Sequence, residues 1–208
     1  MKRKRREARI SASAFAATVA LAALWIGGIL LAPLLAGRDP GAPDLLESSE
    51  HAPPGLKATT QVSALYNAYR PVCHQRSDRS FHISGHPMAV CARCFGIYSG
   101  FLIGLLIYPF ARALTRTDTP PRLWLILALA PAGLDFFGGL SGAFENGPAS
   151  RLMTGLILGT AGAFYILPGL ICMTRDWRGS SFEAARAVSP ERWLQTLFGT
   201  SKRRNRNG

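Results

Sequence analysis

Charged residues, which interrupt most globular sequences every few positions, are missing from long stretches of this chain. Residues 10–37, 94–111 and 152–174 contain no Asp, Glu, Lys or Arg, and residues 123–144 contain only Asp135. A helix of roughly 17–25 apolar residues crosses a bilayer. The pattern therefore predicts an all-α, polytopic membrane protein with transmembrane helices over 10–37, 95–111, 123–141 and 152–174. The first run also admits a signal-peptide reading, with a loose cleavage region at 32–37. Signal h-regions are only about 7–15 residues long, which favours a retained helix.

Composition agrees with this pattern. Charged residues make up 17% of the 208 positions, well under the usual quarter, and 21 glycines fall largely inside the apolar runs. The formal net charge of +12 is unevenly placed. Residues 1–9 sum to +5, the loop 112–122 to +2 and the tail 175–208 to +5, whereas 38–94 sums to +1 and 145–151 to zero. Positive loops stay cytoplasmic. The expected topology is N-in and C-in, a multi-pass protein of the inner (cytoplasmic) membrane, with 38–94 and 142–151 outside. The basic charge then reports topology and headgroup attraction. No nucleic-acid partner is expected, because no basic fold interleaved with aromatics accompanies it.

Two short helices are expected outside the bilayer. Residues 38–58 are rich in Pro and Gly and read as a linker. Val62, Leu65, Tyr66 and Tyr69 then repeat at helical spacing up to Pro71, giving one apolar face. In the tail, Ser189-Pro190 resembles a helix start ahead of Trp193, Leu194, Leu197 and Phe198. Within the membrane, Gly96, Gly100 and Gly104 recur every fourth position, as do Gly155, Gly159 and Ala163. Such faces let helix backbones approach closely. They are expected inside the bundle, with homo-oligomerisation through the same Gly-xxx-Gly faces as the alternative.

Chemistry concentrates in residues 73–94, where three of the four cysteines and three of the four histidines lie. Cys91 and Cys94 form a Cys-x-x-Cys pair whose spacing lets both sulfurs face one point, as in structural zinc knuckles. Cys73 supplies a third thiolate and His74 or His86 a fourth ligand; zinc suits that set, while copper or iron stay open. Gln75, Arg76 and Arg79 are expected to support the ligands or touch headgroups. A second reading is a thiol–disulfide enzyme using Cys91 and Cys94, favoured by a helix N-terminus and by Arg93. A third is a non-catalytic scaffold whose loop is pinned by a disulfide. His51 and His82 are left out of the site, and Cys172 reads as a packed small apolar residue.

Asp135 needs a compensating partner, since a carboxylate in the hydrocarbon region costs several kcal/mol. Arg151, at the outer start of the fourth membrane helix, is the expected one. The pair either fixes helix register or lines a polar pocket beneath the Cys/His loop, which Glu145 could join.

The string Cys73-His74-Gln75, Arg79-Ser80-Phe81, Cys91-Ala92-Arg93-Cys94 and Gly96-Ile97-Tyr98 resembles a family of small prokaryotic four-helix integral membrane proteins catalogued as a domain of unknown function. The resemblance covers roughly residues 60–172. Asp135 corresponds to the family's acid in the third helix, and Arg151, Thr154 and Gly155 to its Arg-x-x-Thr-Gly pattern. In the family that acid is usually followed by glycine, where this chain has Phe136. The resemblance implies a shared membrane fold and a shared extracytoplasmic site, and no activity.

Overall fold

The computed structural model of the chain describes residues 2–38, 61–116, 118–142 and 146–187. The proline-rich linker with His51, Glu145 and the expected tail helix around Trp193 lie outside the described residues. Four long helices dominate: α1 (Lys2–Ala36), α3 (Ala92–Ala111), α4 (Arg122–Leu140) and α5 (Pro148–Ala187). Each is long and apolar enough to cross a membrane. The short α2 (Gln61–Tyr69) and a hairpin of β1 (His82–Ile83) and β2 (His86–Pro87) lie between α1 and α3.

Each long helix contains one interior proline, Pro33, Pro109, Pro131 or Pro168. In membrane helices the freed carbonyls find other partners, so proline is tolerated there as it is not in soluble helices.

The tightest seam joins α3 to α5. A Cβ on Gly96, Gly100 or Gly104 would collide with backbone atoms of Leu152, Leu156 or Thr160. On the other helix, a Cβ on Gly155 or Gly159 would strike the carbonyls of Arg93 or Ile97. Backbone therefore lies on backbone, and the Thr160 hydroxyl donates to the Gly100 carbonyl at 3.1 Å. The two small-residue faces fill each other within one chain. Of the two expectations for these faces, this is the one that placed them inside the bundle.

By contrast, α4 packs on α5 while burying only Ala128, Ala132 and Asp135. Leu123, Trp124, Ile126, Leu134, Phe137 and Leu140 stand outward. With no hydrophobic gain from leaving lipid for protein, outward apolar residues of this kind cost nothing.

The end of α1, the starts of α3 and α5 and the end of α4 share one end of the bundle with α2 and the hairpin. There Tyr69 donates to the Trp25 carbonyl of α1 at 2.8 Å, and Gly28 provides the space for that ring. At the opposite end Arg175 donates to Ser11 Oγ at 2.6 Å and to the Thr115 carbonyl at 3.2 Å. Cys172 is exposed, with its sulfur 3.7 Å from an Asp176 carboxylate oxygen. It faces outward from within α5, contrary to the packed position expected for it.

Candidate metal centre

The α2 helix turns Val62, Tyr66 and Tyr69 inward, the face that the spacing of apolar residues marks. It ends just before Pro71, and the chain reaches Cys73, whose amide donates to the Tyr69 carbonyl at 3.1 Å. Two residues on, Gln75 adopts a left-handed backbone with φ of 52°. Side chains alternate sides along this stretch: Cys73 is 7% exposed and Gln75 5%, while His74 between them is exposed. The Gln75 side-chain amide donates to the Tyr66 carbonyl at 2.6 Å and to the Ala89 carbonyl at 2.9 Å. Gln75 thus fastens the end of α2 to the segment that leads into Cys91.

The hairpin sets the approach to that segment. Ile83 pairs with His86 across a two-residue turn, in which Ser84 and Gly85 have φ of 54° and 83°. Positive φ at both central residues matches the twist of a tight hairpin. The Tyr66 hydroxyl donates to the Pro87 carbonyl at 2.6 Å. Met88, Ala89 and Val90 are then buried directly before Cys91, which stands at the N-terminus of α3 with Cys94 in its first turn.

These constraints bring the sulfurs of Cys73, Cys91 and Cys94 within 4.8 Å of one another. All are free thiols. The Cys91 amide donates to the Cys73 sulfur at 3.2 Å. Cys91 is held well below the usual thiol range, first by hydrogen bonding from Cys73, then from Cys94, with smaller help from the Cys94 and Arg93 amides. Cys73 is pushed up, mainly because its thiol serves Cys91 as donor. Around a single tetrahedral ion with metal–sulfur bonds of about 2.3 Å, sulfurs stand roughly 3.8 Å apart, a spacing this cluster can adopt with small side-chain adjustments.

The expected imidazole is not among these donors. Among the described residues the converging group contains the three cysteines alone. His74 is exposed, on the side of the chain away from the buried Cys73 and Gln75. His86 is half-buried beside Gly37 at the end of α1, where a Cβ on that glycine would lie 3.6 Å from its ring. Arg76 and Arg79 surround Asp78 on the surface, with closest N···O distances of 3.1 and 3.7 Å.

Beneath the cysteines lies a buried polar knot. Arg93 sits between Cys91 and Cys94 in sequence and forms an ion pair with Asp135 of α4, which is 4% exposed. The second Asp135 carboxylate oxygen accepts from the Ser150 hydroxyl at the start of α5, and its backbone carbonyl accepts from the Asn146 side chain. The partner is Arg93 and not the expected Arg151. Successive helical residues are rotated by about 100°, so once Ser150 faces Asp135, its neighbour Arg151 points elsewhere. Ser150 and Asn146 were not read as site residues from sequence, and only their polarity at the mouth of an apolar helix could have marked them.

Four apolar spans, a buried acid paired across helices and three converging thiols define a multi-pass membrane protein with a three-cysteine site able to chelate a metal. The chain belongs to the family described as predicted membrane protein DUF2085, whose profile matches residues 73–165. It is 49% identical over 104 residues to an uncharacterized protein of Methanocaldococcus jannaschii, covering 50% of this chain and 67% of the relative. An uncharacterized protein of Methanothermobacter thermautotrophicus is 36% identical over 91 residues, covering 44% of this chain and 80% of the relative. No solved structure matches the chain. The matched region begins at the first site cysteine and includes Arg93, Asp135 and Ser150; α1 and α2 lie ahead of it.

Proposed function

We propose that this protein binds one divalent metal ion, zinc or a zinc-like ion, through Cys73, Cys91 and Cys94. The observation that carries this reading is the convergence of all three sulfurs within 4.8 Å; a two-cysteine exchange centre would not need the third. Charge favours a divalent ion. Three thiolates on Zn(II) leave one net negative charge, and on Cu(I) they leave two, beside the apolar surfaces of Met88 and Val90. An iron–sulfur cluster would interpose several irons and hold the thiolates farther apart. The site faces the extracytoplasmic side in this reading. The opposite end gathers Arg5, Arg6, Arg9, Arg112, Arg116 and Arg175, and such a concentration marks the cytoplasmic side of the inner membrane, with both termini inside.

The test is elemental analysis of protein purified in detergent without chelator, with a thiol count on the same sample. One zinc per chain is expected, with the three thiols shielded until the metal is stripped. Cys73→Ser and Cys91→Ser should lose the metal to the same extent. The position of Cys91 at a helix N-terminus favours a second reading, a thiol–disulfide exchange centre at Cys91 and Cys94. Protein without metal and with two thiols missing would establish that reading instead.

A further inference from the structure

Zinc sites divide by how many ligands the chain supplies. Structural sites are closed by four protein ligands, whereas sites with three leave a position for water or an incoming molecule. Here three sulfurs converge, and no histidine, aspartate or glutamate joins them among the described residues. The described imidazoles next to the cluster in sequence lie elsewhere: His74 is exposed between the buried Cys73 and Gln75, and His86 sits in the hairpin beside Gly37. Cys73 is buried, but Cys91 and Cys94 are only half-buried, so the cluster is open on the side of these two residues.

We infer that the ion at Cys73, Cys91 and Cys94 keeps its fourth coordination position open to an exogenous small ligand with a neutral nitrogen or oxygen donor, water in the resting protein. This rests on the metal-binding reading above. The donor class follows from charge. Three thiolates on a divalent ion already leave one net negative charge, and a fourth anionic ligand would double it. The guanidinium groups of this region offset little of that charge: Arg93 is paired with Asp135, and Arg76 and Arg79, which share the one carboxylate of Asp78, stand in water that screens them. A neutral donor adds no charge and is the ligand these surroundings accept. The exchange is a plain substitution, water leaving as the nitrogen lone pair binds, with no electron transferred.

The experiment uses the full chain in detergent, stripped and reloaded with Co(II) under a phosphine reductant, because cobalt reports its ligand set in the visible spectrum. Four-coordinate bands with sulfur-to-cobalt charge transfer are expected. Imidazole should shift the ligand-field bands saturably while cobalt stays bound, and 2-mercaptoethanol should shift them less at equal concentration. His51→Ala, His74→Ala and His86→Ala should each keep the wild-type starting spectrum. A spectrum indifferent to imidazole, with one histidine variant changing it, would mean a closed Cys3His site and overturn the open position while leaving metal binding intact. A response to the thiol alone would overturn the donor class. Failure to bind cobalt in folded protein, judged by gel filtration, would overturn the metal reading itself.

Discussion

The α3–α5 seam and the attachment of α4 solve the same problem in opposite ways. Both must hold helices together where lipid removes the hydrophobic driving force. The seam does so with Gly96, Gly100, Gly104, Gly155 and Gly159, which let two backbones touch. On α4, Asp135 does it by drawing Arg93 of α3 and Ser150 of α5 to one carboxylate. The seam distributes its attraction over many small contacts, while α4 concentrates it in one ion pair. Loss of a single residue should therefore be felt more sharply on α4. Because Arg93 lies between two of the three cysteines in sequence, the polar knot also fastens the first turn of α3, which carries Cys94.

The largest effect is expected at that knot. Asp135→Leu strands a guanidinium that is only 25% exposed, and removing one partner of a buried pair costs up to about 3–5 kcal/mol. Arg93→Met with Asp135→Leu should recover much of the loss, since an apolar pair can replace a buried ionic one at little cost. Thermal unfolding in detergent measures both; equal melting of the single and double variants would show that the pair carries no coupling. Next comes the seam. Gly159→Ala drives a methyl group into the Ile97 carbonyl, and overpacking of this kind costs about 1–3 kcal/mol. Gly162→Ala, on the same helix with open space around it, should be neutral in the same assay. If the two melt alike, close approach is not what holds the seam.

The four spans were legible because lipid imposes a simple rule on sequence: a run long enough to cross, with charge only where it is compensated. The cysteines were legible because Cys-x-x-Cys spacing at a helix start leaves the sulfurs few directions to face. The partners of those groups were not. His74 adjoins Cys73 in sequence, yet the two fall on opposite sides of the chain, Cys73 buried and His74 exposed. Arg151 and Ser150 are consecutive, and the helical rotation between them decided which reaches Asp135. Sequence shows which residues are near in the chain; azimuth around a helix and the alternation of sides along a loop decide which are near in space. The Ser84-Gly85 turn is a different case, since a Ser-Gly dipeptide is a known turn signal that simply went unread.

A smaller effect is expected where α2 meets the hairpin. Burial pushes the Tyr66 hydroxyl from 10.0 up to about 12, and it donates to Pro87. Its protonated form is the one the fold favours. The stabilisation is therefore fully present below pH 10 and is lost as pH rises toward about 12. Tyr66→Phe should cost about 0.5–1.5 kcal/mol at neutral pH and flatten the alkaline loss of stability. Tyrosinate absorbance against unfolding at each pH checks this, and an unchanged alkaline profile in the variant would remove Tyr66 from the account.

The smallest effect sets the same chemistry in a different medium. Arg76 and Asp78 form an Arg–Asp pair like that of Arg93 and Asp135, but Asp78 is 58% exposed where Asp135 is 4%. The Arg76 guanidinium still holds the Asp78 carboxyl below its ordinary 3.8. By linkage that contribution is present above the ordinary value and disappears as pH falls through the lowered one. Water and salt screen it, and exposed pairs contribute about 0–1 kcal/mol. Asp78→Asn should thus shift unfolding by no more than a few tenths of a kcal/mol, and by less still in high salt. Asp135→Asn in the same melts should show a much larger loss, little changed by salt. Similar losses for the two variants would mean that depth in the bundle does not set what an Arg–Asp pair is worth, and the special place given to the α4 knot would have to be abandoned.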